Sequence, residues 1–128
     1  MGRSFRELIV WRRAMHLTVT VYRLTHDFPR AEQYGLTSQM RRSAVSIPSN
    51  IAEGQGRLRT GEFRQFLGIA RGSVCEVLTQ IEIARTLKFG DPRLLDEAES
   101  MSEEVRRMLF GMLQSLKTDA KGPLRTWN

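Results

Sequence analysis

The sequence predicts an all-α fold, an antiparallel up-down-up-down four-helix bundle with a proline-kinked second helix, and three observations predict it. Apolar residues recur at steps of three, four and seven along four successive segments, the spacing that gathers them on one side of a helix. Breakers part those segments at Phe28-Pro29 and Gly35, at Gly54 and Gly56, and at Gly90-Asp91-Pro92. No alternating strand pattern competes, and short connections between long amphipathic segments suit a bundle. The helices are expected at about 5–27, 36–57, 61–89 and 92–117, within one bundle domain over residues 1–118.

Ser4-Phe5-Arg6-Glu7 has the spacing of a capping box, so the first helix is expected to begin near residue 5 and to run to Asp27. Two adjacent stripes form its apolar face. One is Leu8, Trp11, Met15, Thr18 and Tyr22; the other is Val10, Ala14, Leu17, Val21, Leu24 and Phe28, and together they are wide enough to meet two neighbours. Arg6, Arg13, His16 and Arg23 face outward or towards another subunit. Phe28 precedes a proline and is steered out of the α region, which ends the helix.

The second helix sets Leu36, Met40, Ala44, Ile47, Ile51 and Leu58 on one side and Gln39, Arg42, Ser46, Ser49, Glu53 and Arg57 on the other. Pro48 removes a backbone donor and crowds the carbonyl of Ala44, at about 3 kcal/mol in a straight helix, so a kink or broken turn is expected near residues 44–48. Asn50 and Glu53 have capping-box spacing that would restart the helix beyond it. Gly54 and Gly56 weaken its last turn.

Thr60 is expected to cap the third helix. Its core stripe is Phe63, Leu67, Ala70, Val74, Val77, Ile81 and Ala84, widened by Phe66, Ile69, Leu78 and Ile83. Asp91 followed by Pro92 is an N-cap and first-turn pair that starts the fourth helix, with Leu95, Ala98, Met101, Val105, Met108, Met112 and Leu116 as its stripe. Residues 119–128 contain Gly122-Pro123 and no period, and a flexible tail is expected there.

Composition narrows the function classes. A chain of 128 residues buries about two-thirds of its unfolded surface and needs no staple. Its one cysteine, Cys75, excludes an intramolecular disulfide and falls in an apolar pattern, where a free thiol behaves as a small buried hydrophobe. No run approaches the roughly 18 apolar residues of a membrane span, and MGRSFREL carries no apolar signal core, so a soluble cytoplasmic protein is expected. The net charge of +6 is uneven: residues 1–75 hold twelve arginines against five acids, and residues 76–128 hold eight basic residues against nine acidic ones. Of the 20 basic residues 17 are Arg, whose planar fork suits carboxylate or phosphate.

Catalytic and metal patterns are absent from the sequence. His16 and His26 have no cysteine or carboxylate at ligand spacing, which leaves two exposed histidines. Cys75 has no base near it, and Gly54-Gln55-Gly56-Arg57 lacks the later glycine and the Lys-Ser/Thr pair of phosphate loops. The arginines carry more. Arg41 and Arg42 on the second helix, Arg57 and Arg59 at its end, and Arg64 and Arg71 on the third are candidates to neutralise phosphates without reading bases. The plain alternative is a solvated face with salt bridges such as Arg42 to Glu53. No aromatic platform accompanies them, since Phe63 and Phe66 fit the core stripe. Ser46, Ser49, Asn50 and Ala52 are small enough to admit a close neighbour, so Gln39, Ser46, Pro48, Asn50, Glu53 and Gly54 are read as structural or subunit-contacting, with Arg42, Ser46, Asn50, Glu53 and Arg57 in an ordered polar network.

Several of these residues form a recognisable pattern: Leu8, Trp11 and Ala14; Phe28-Pro29 and Glu32; Tyr34 to Gln39; Arg41-Arg42; Ser46-Ile47-Pro48-Ser49-Asn50-Ile51-Ala52-Glu53-Gly54; Arg57; Glu62-Phe63; and Ala70 to Ser73. Over residues 5–116 the chain resembles the four-helix bundle family encoded in intervening sequences of bacterial 23S ribosomal RNA genes, also labelled S23 ribosomal proteins. It is similar, too, to the accessory protein of diversity-generating retroelements, a pentameric basic bundle that binds reverse transcriptase and nucleic acid. The resemblance implies a left-handed bundle assembled as a homopentamer, with no established activity. The expected function is a non-enzymatic homo-oligomer whose basic surface contacts RNA or DNA, without cofactor, metal, membrane or small-molecule substrate. The alternative is an oligomeric scaffold for protein partners that binds no nucleic acid.

Overall fold

Four apolar stripes on one chain bury each other most fully by closing a ring of helices, and the stripes here do so. The computed structural model describes residues 4–117, so the tail expected at 119–128 lies outside the described residues. The helices are α1 (Ile9–His26), α2 (Leu36–Gln55), α3 (Thr60–Leu87) and α4 (Pro92–Leu116), with short 3-10 turns at Phe5–Glu7 and Arg30–Glu32. Each packs against the next and α4 returns to α1, while diagonal helices make no close approach. Cross-helix bonds run in opposite order along each pair. Thr18 and Thr25 of α1 meet Ala44 and Arg41 of α2; Ser43 and Ser46 of α2 meet Gln80 and Ser73 of α3. Arg64 and Arg85 of α3 meet Leu113 and Asp96 of α4, and Arg13 and Thr20 of α1 meet Glu104 and Met101. All four pairs are therefore antiparallel, the up-down-up-down bundle that the sequence predicts.

The core is Leu17, Val21 and Leu24 of α1, Met40, Ala44, Ile47 and Ile51 of α2, the whole expected stripe from Phe63 to Ala84 of α3, and Leu95, Val105 and Leu109 of α4. Each large aliphatic side chain among them contributes about 1.5–3 kcal/mol by leaving water. Some expectations shift by one position. In α1 only the Val10-to-Phe28 stripe is buried throughout; Met15 and Tyr22 of the other are exposed, because a ring of four needs a narrower face than two full stripes. Ile69 and Ile83 are exposed on α3, Cys75 is an exposed free thiol, and Leu58 lies beyond the end of α2 with 86% of its surface in solvent. In α4 Ser102 and Leu109 are buried, while Met101, Met108 and Met112 flank the core.

The ends also differ. Ser4 accepts from the Arg6 amide at 3.2 Å, but it caps only the 3-10 turn, and extended Leu8 (φ −73°, ψ 127°) then turns its side chain into the core before α1 begins. Thr60 is the first residue of α3, with extended Arg59 as the flanking cap, so it does not cap from outside. Asp91 accepts from the Arg93 amide at 2.9 Å and Pro92 opens α4, as expected. Between α3 and α4 Lys88 is left-handed (φ 61°), and Gly90 (φ 81°) lies where a β-carbon would fall 2.7 Å from Leu24 Cδ1.

Candidate nucleic-acid interface

The interface candidates depend on α2, and α2 depends on how Pro48 is accommodated. The helix is continuous from Leu36 to Gln55 with Pro48 inside it, so the proline does not break it in two. Pro48 has no N–H to give to the Ala44 carbonyl four residues earlier. The Thr18 hydroxyl of α1 shares its single proton between that carbonyl, at 3.1 Å, and the Ala14 carbonyl of its own helix, at 2.8 Å. No capping box restarts the helix either: the Asn50 amide donates back to the Ser46 carbonyl at 2.8 Å and to the Ser46 hydroxyl at 2.9 Å.

The polar side of α2 divides. Ser46 shares a 2.8 Å hydrogen bond with Ser73, and Gln80 donates to Ser43 at 3.1 Å, so this part meets α3 of the same chain. Gly54 is buried in the same seam, where a β-carbon would stand 2.7 Å from Phe66 Cβ; it permits the helices to approach, and α2 continues past it. Gln39 lies on the outer edge of that seam, beside Gly72 and Cys75. Glu53 pairs with Arg57 at 2.9 Å and not with Arg42. Ser46 with Asn50 and Glu53 with Arg57 form two separate pairs, and Arg42 is exposed and makes no ion pair among the described residues.

The six candidate arginines fall into three groups. From Arg41 to the end of α2 at Gln55 is fourteen residues, roughly 21 Å of helix, and Arg57 lies beyond it, so the six do not form one patch. Arg41 and Arg42 lie between α1 and α2, where Arg41 Nε donates to Thr25 Oγ1 at 2.8 Å and its guanidinium stacks 4.6 Å from the Tyr22 ring centre. Arg57 stacks on Phe66 at 4.9 Å, and Arg59 follows it, exposed and extended. Arg64 and Arg71 lie towards α4: Arg64 Nε donates to the Leu113 carbonyl at 3.3 Å, and Arg71 sits 5.5 Å over Phe110 with its Nε buried and unpartnered.

The described arginines divide by pairing. Arg13 meets Glu104, Arg106 meets Glu103, and Arg85 meets Glu82, Asp96 and Glu99, whereas Arg6, Arg12, Arg23, Arg30, Arg93 and Arg107 make no ion pair among the described residues and resemble most of the candidates in this. Hydrogen bonds to Glu99 and then Asp96 hold Arg85 above the ordinary arginine range, and Glu103 does the same for Arg106. Of the six candidates only Arg57 has a carboxylate partner among the described residues. Arg41, Arg57 and Arg71 also lie against aromatic rings, as Arg6 does against Phe5, and a ring attracts a guanidinium without cancelling its charge.

Sequence reasoning missed Tyr22 and Tyr34. Tyr22 was assigned to a core stripe but lies at its solvent edge under Arg41, and Tyr34, in the turn before α2, is 91% exposed. Both line a depression of about 540 Å³ with Arg41, Arg42 and Val45. A tyrosine next to Gly35 in a turn was a legible sign of an exposed ring; the side taken by Tyr22 was not legible, because it depends on how α1 is rotated against α2. Among the described residues no group of three or more His, Cys, Asp or Glu could hold a metal ion, and no helix is long and apolar enough to cross a membrane.

The fold has a solved counterpart. The crystal structure of a protein of unknown function from the S23 ribosomal protein family of Bacteroides thetaiotaomicron superposes with a TM-score of 0.74 at 18% identity, over 83% of this chain and 99% of that one. Identity this low establishes a shared fold alone. No curated protein matches the chain. The model of the 23S rRNA-intervening sequence protein family matches residues 6–111, a span that includes all six candidate arginines and the Pro48 segment. The chain therefore belongs to the 23S rRNA-intervening sequence protein family.

Proposed function

We propose that this chain is a non-enzymatic, cytoplasmic homo-oligomer, a pentamer, whose basic surface binds RNA or another nucleic acid. The observation that carries the reading is the uncompensated charge from α2 to the front of α3: five of the six candidate arginines there have no carboxylate partner among the described residues. Charge left uncompensated on a folded surface attracts polyanions and releases their counterions, and such binding weakens steeply with salt. Arg41, Arg42, Arg57, Arg59, Arg64 and Arg71 carry the contact, to phosphates and not to base edges, so binding discriminates little between sequences.

A retention assay on RNA and DNA at low and moderate salt tests this. Salt-dependent retention at micromolar protein supports it; no retention at low salt overturns it. Light scattering tests the assembly: a mass five times the 14.7 kDa of the chain supports the pentamer, and a monomer mass ends it. The second reading, an oligomeric scaffold for protein partners, draws on exposed apolar side chains at Met15, Val19, Ile69, Ile83 and Leu87. It predicts a partner complex that survives nuclease treatment.

A further inference from the structure

We propose that the depression between the end of α1 and the start of α2 is a subsite for one unpaired nucleotide, with the base stacked on Tyr34 and the phosphate held by Arg41 and Arg42. The inference rests on the nucleic-acid reading above and names where, and in what form, the strand is held.

The depression is built from groups that suit such a ligand. Its volume of about 540 Å³ lies within the range of small-ligand sites. Arg41 is fixed before any ligand arrives: Nε is held by Thr25 Oγ1 and the guanidinium plane by the Tyr22 ring, leaving the terminal amino groups without a hydrogen bond among the described residues. Holding the fork in place lowers the cost of docking a phosphate on it. Arg42, adjacent in sequence, lines the same depression and has no acid to neutralise it.

Glu32, the nearest carboxylate in the connection, is turned away to accept the Leu36 amide at 3.0 Å and does not line the depression. Tyr34 offers a ring that is 91% exposed beside this charge, and Gln33, Thr37 and Ser38 supply amide and hydroxyl groups for the sugar. An exposed aromatic next to fixed guanidinium groups is the combination on which single strands stack, each base face being equivalent to the next. Within a duplex the neighbouring pairs cover both faces of each base, so the interior of a duplex is excluded from the subsite.

The test compares labelled oligouridylate, oligodeoxythymidylate and a duplex of oligouridylate with oligoadenylate, on the full chain, with light scattering on every variant. The expected result is tighter binding of the single strands than of the duplex, and a loss of about fivefold or more for single strands in Tyr34→Ala. Tyr34→Phe retains binding. Arg42→Ala lowers the salt slope by about 0.7 for single strands, whereas Tyr34→Ala leaves it unchanged. Equal binding of duplex and single strand, with Tyr34→Ala indistinguishable from wild type, overturns the subsite and leaves the basic-surface reading intact. Absence of binding by the wild-type chain overturns both. A fall in assembly mass in Tyr34→Ala that accompanies its loss of binding assigns the ring to a subunit contact and overturns the subsite. Tyr34 is nearly fully solvated, so its replacement does not threaten the fold.

Discussion

The two flanks of α2 are made from similar residues and end up doing opposite things. On the α3 side, Ser43 and Ser46 are matched by Gln80 and Ser73, Asn50 donates back to Ser46, and Gly54 lets Phe66 come within touching distance. There, most polar groups are consumed inside the bundle, although the buried Gln80 Oε1 has no partner among the described residues. Towards α1, Thr18 satisfies the carbonyl that Pro48 leaves open, and beyond it Arg41 and Arg42 face an open depression with no acid. Polar groups on that flank remain available to something else. A polar stripe on a helix therefore does not announce its use; the neighbour decides whether it closes or stays open.

Breaking the closed flank should produce the largest effect. Gly54→Val places carbon atoms against Phe66 Cβ and Phe63, which belong to α3 near its backbone and cannot swing aside, so it is expected to cost about 1–3 kcal/mol and lower the urea midpoint. Next comes Thr18→Val, which keeps the shape but removes the donor to the Ala44 carbonyl, at about 1–2 kcal/mol. This loss should shrink by at least about 0.5 kcal/mol in a Pro48→Ala background, where the helix again supplies its own N–H, and an additive double-mutant cycle would show that Thr18 does not serve the proline.

Smaller effects sharpen the contrast between the flanks. Ser73→Ala leaves the Ser46 hydroxyl with Asn50 alone and is expected to cost about 1 kcal/mol by thermal or urea denaturation. Arg42→Ala should change stability by less than about 0.5 kcal/mol. A clear destabilisation by Arg42→Ala would mean that the open flank is structural after all.

Much of the fold was legible because its signals are local. The α3 stripe from Phe63 to Ala84 is buried at every predicted position, and Asp91-Pro92 starts α4 as read. The misreadings share a cause. Met15, Tyr22, Ile69 and Ile83 fit a helical period as well as their buried neighbours do, and Cys75 lies one step past Val74; the period identifies a face, but its width is set by how closely two other helices approach. Leu58 stands seven residues after Ile51 and so continues the α2 period, but the helix ends at Gln55 and leaves it in solvent. Of the candidate site, the six arginines were legible as charges and Tyr34 as an exposed turn residue, while the division of the arginines into three groups and the meeting of Tyr22 with Arg41 were not.

The sequence by itself determined four amphipathic helices, most of their boundaries and a basic front half, since caps, breakers and periodicity act over three or four residues of the same chain. Only the tertiary structure decided which stripe of α1 is buried, which flank of α2 closes, and that Thr18, twenty-six residues from Ala44, supplies the donor that Pro48 lacks. Those outcomes depend on the rotation and spacing of helices distant in sequence, and no local pattern encodes them.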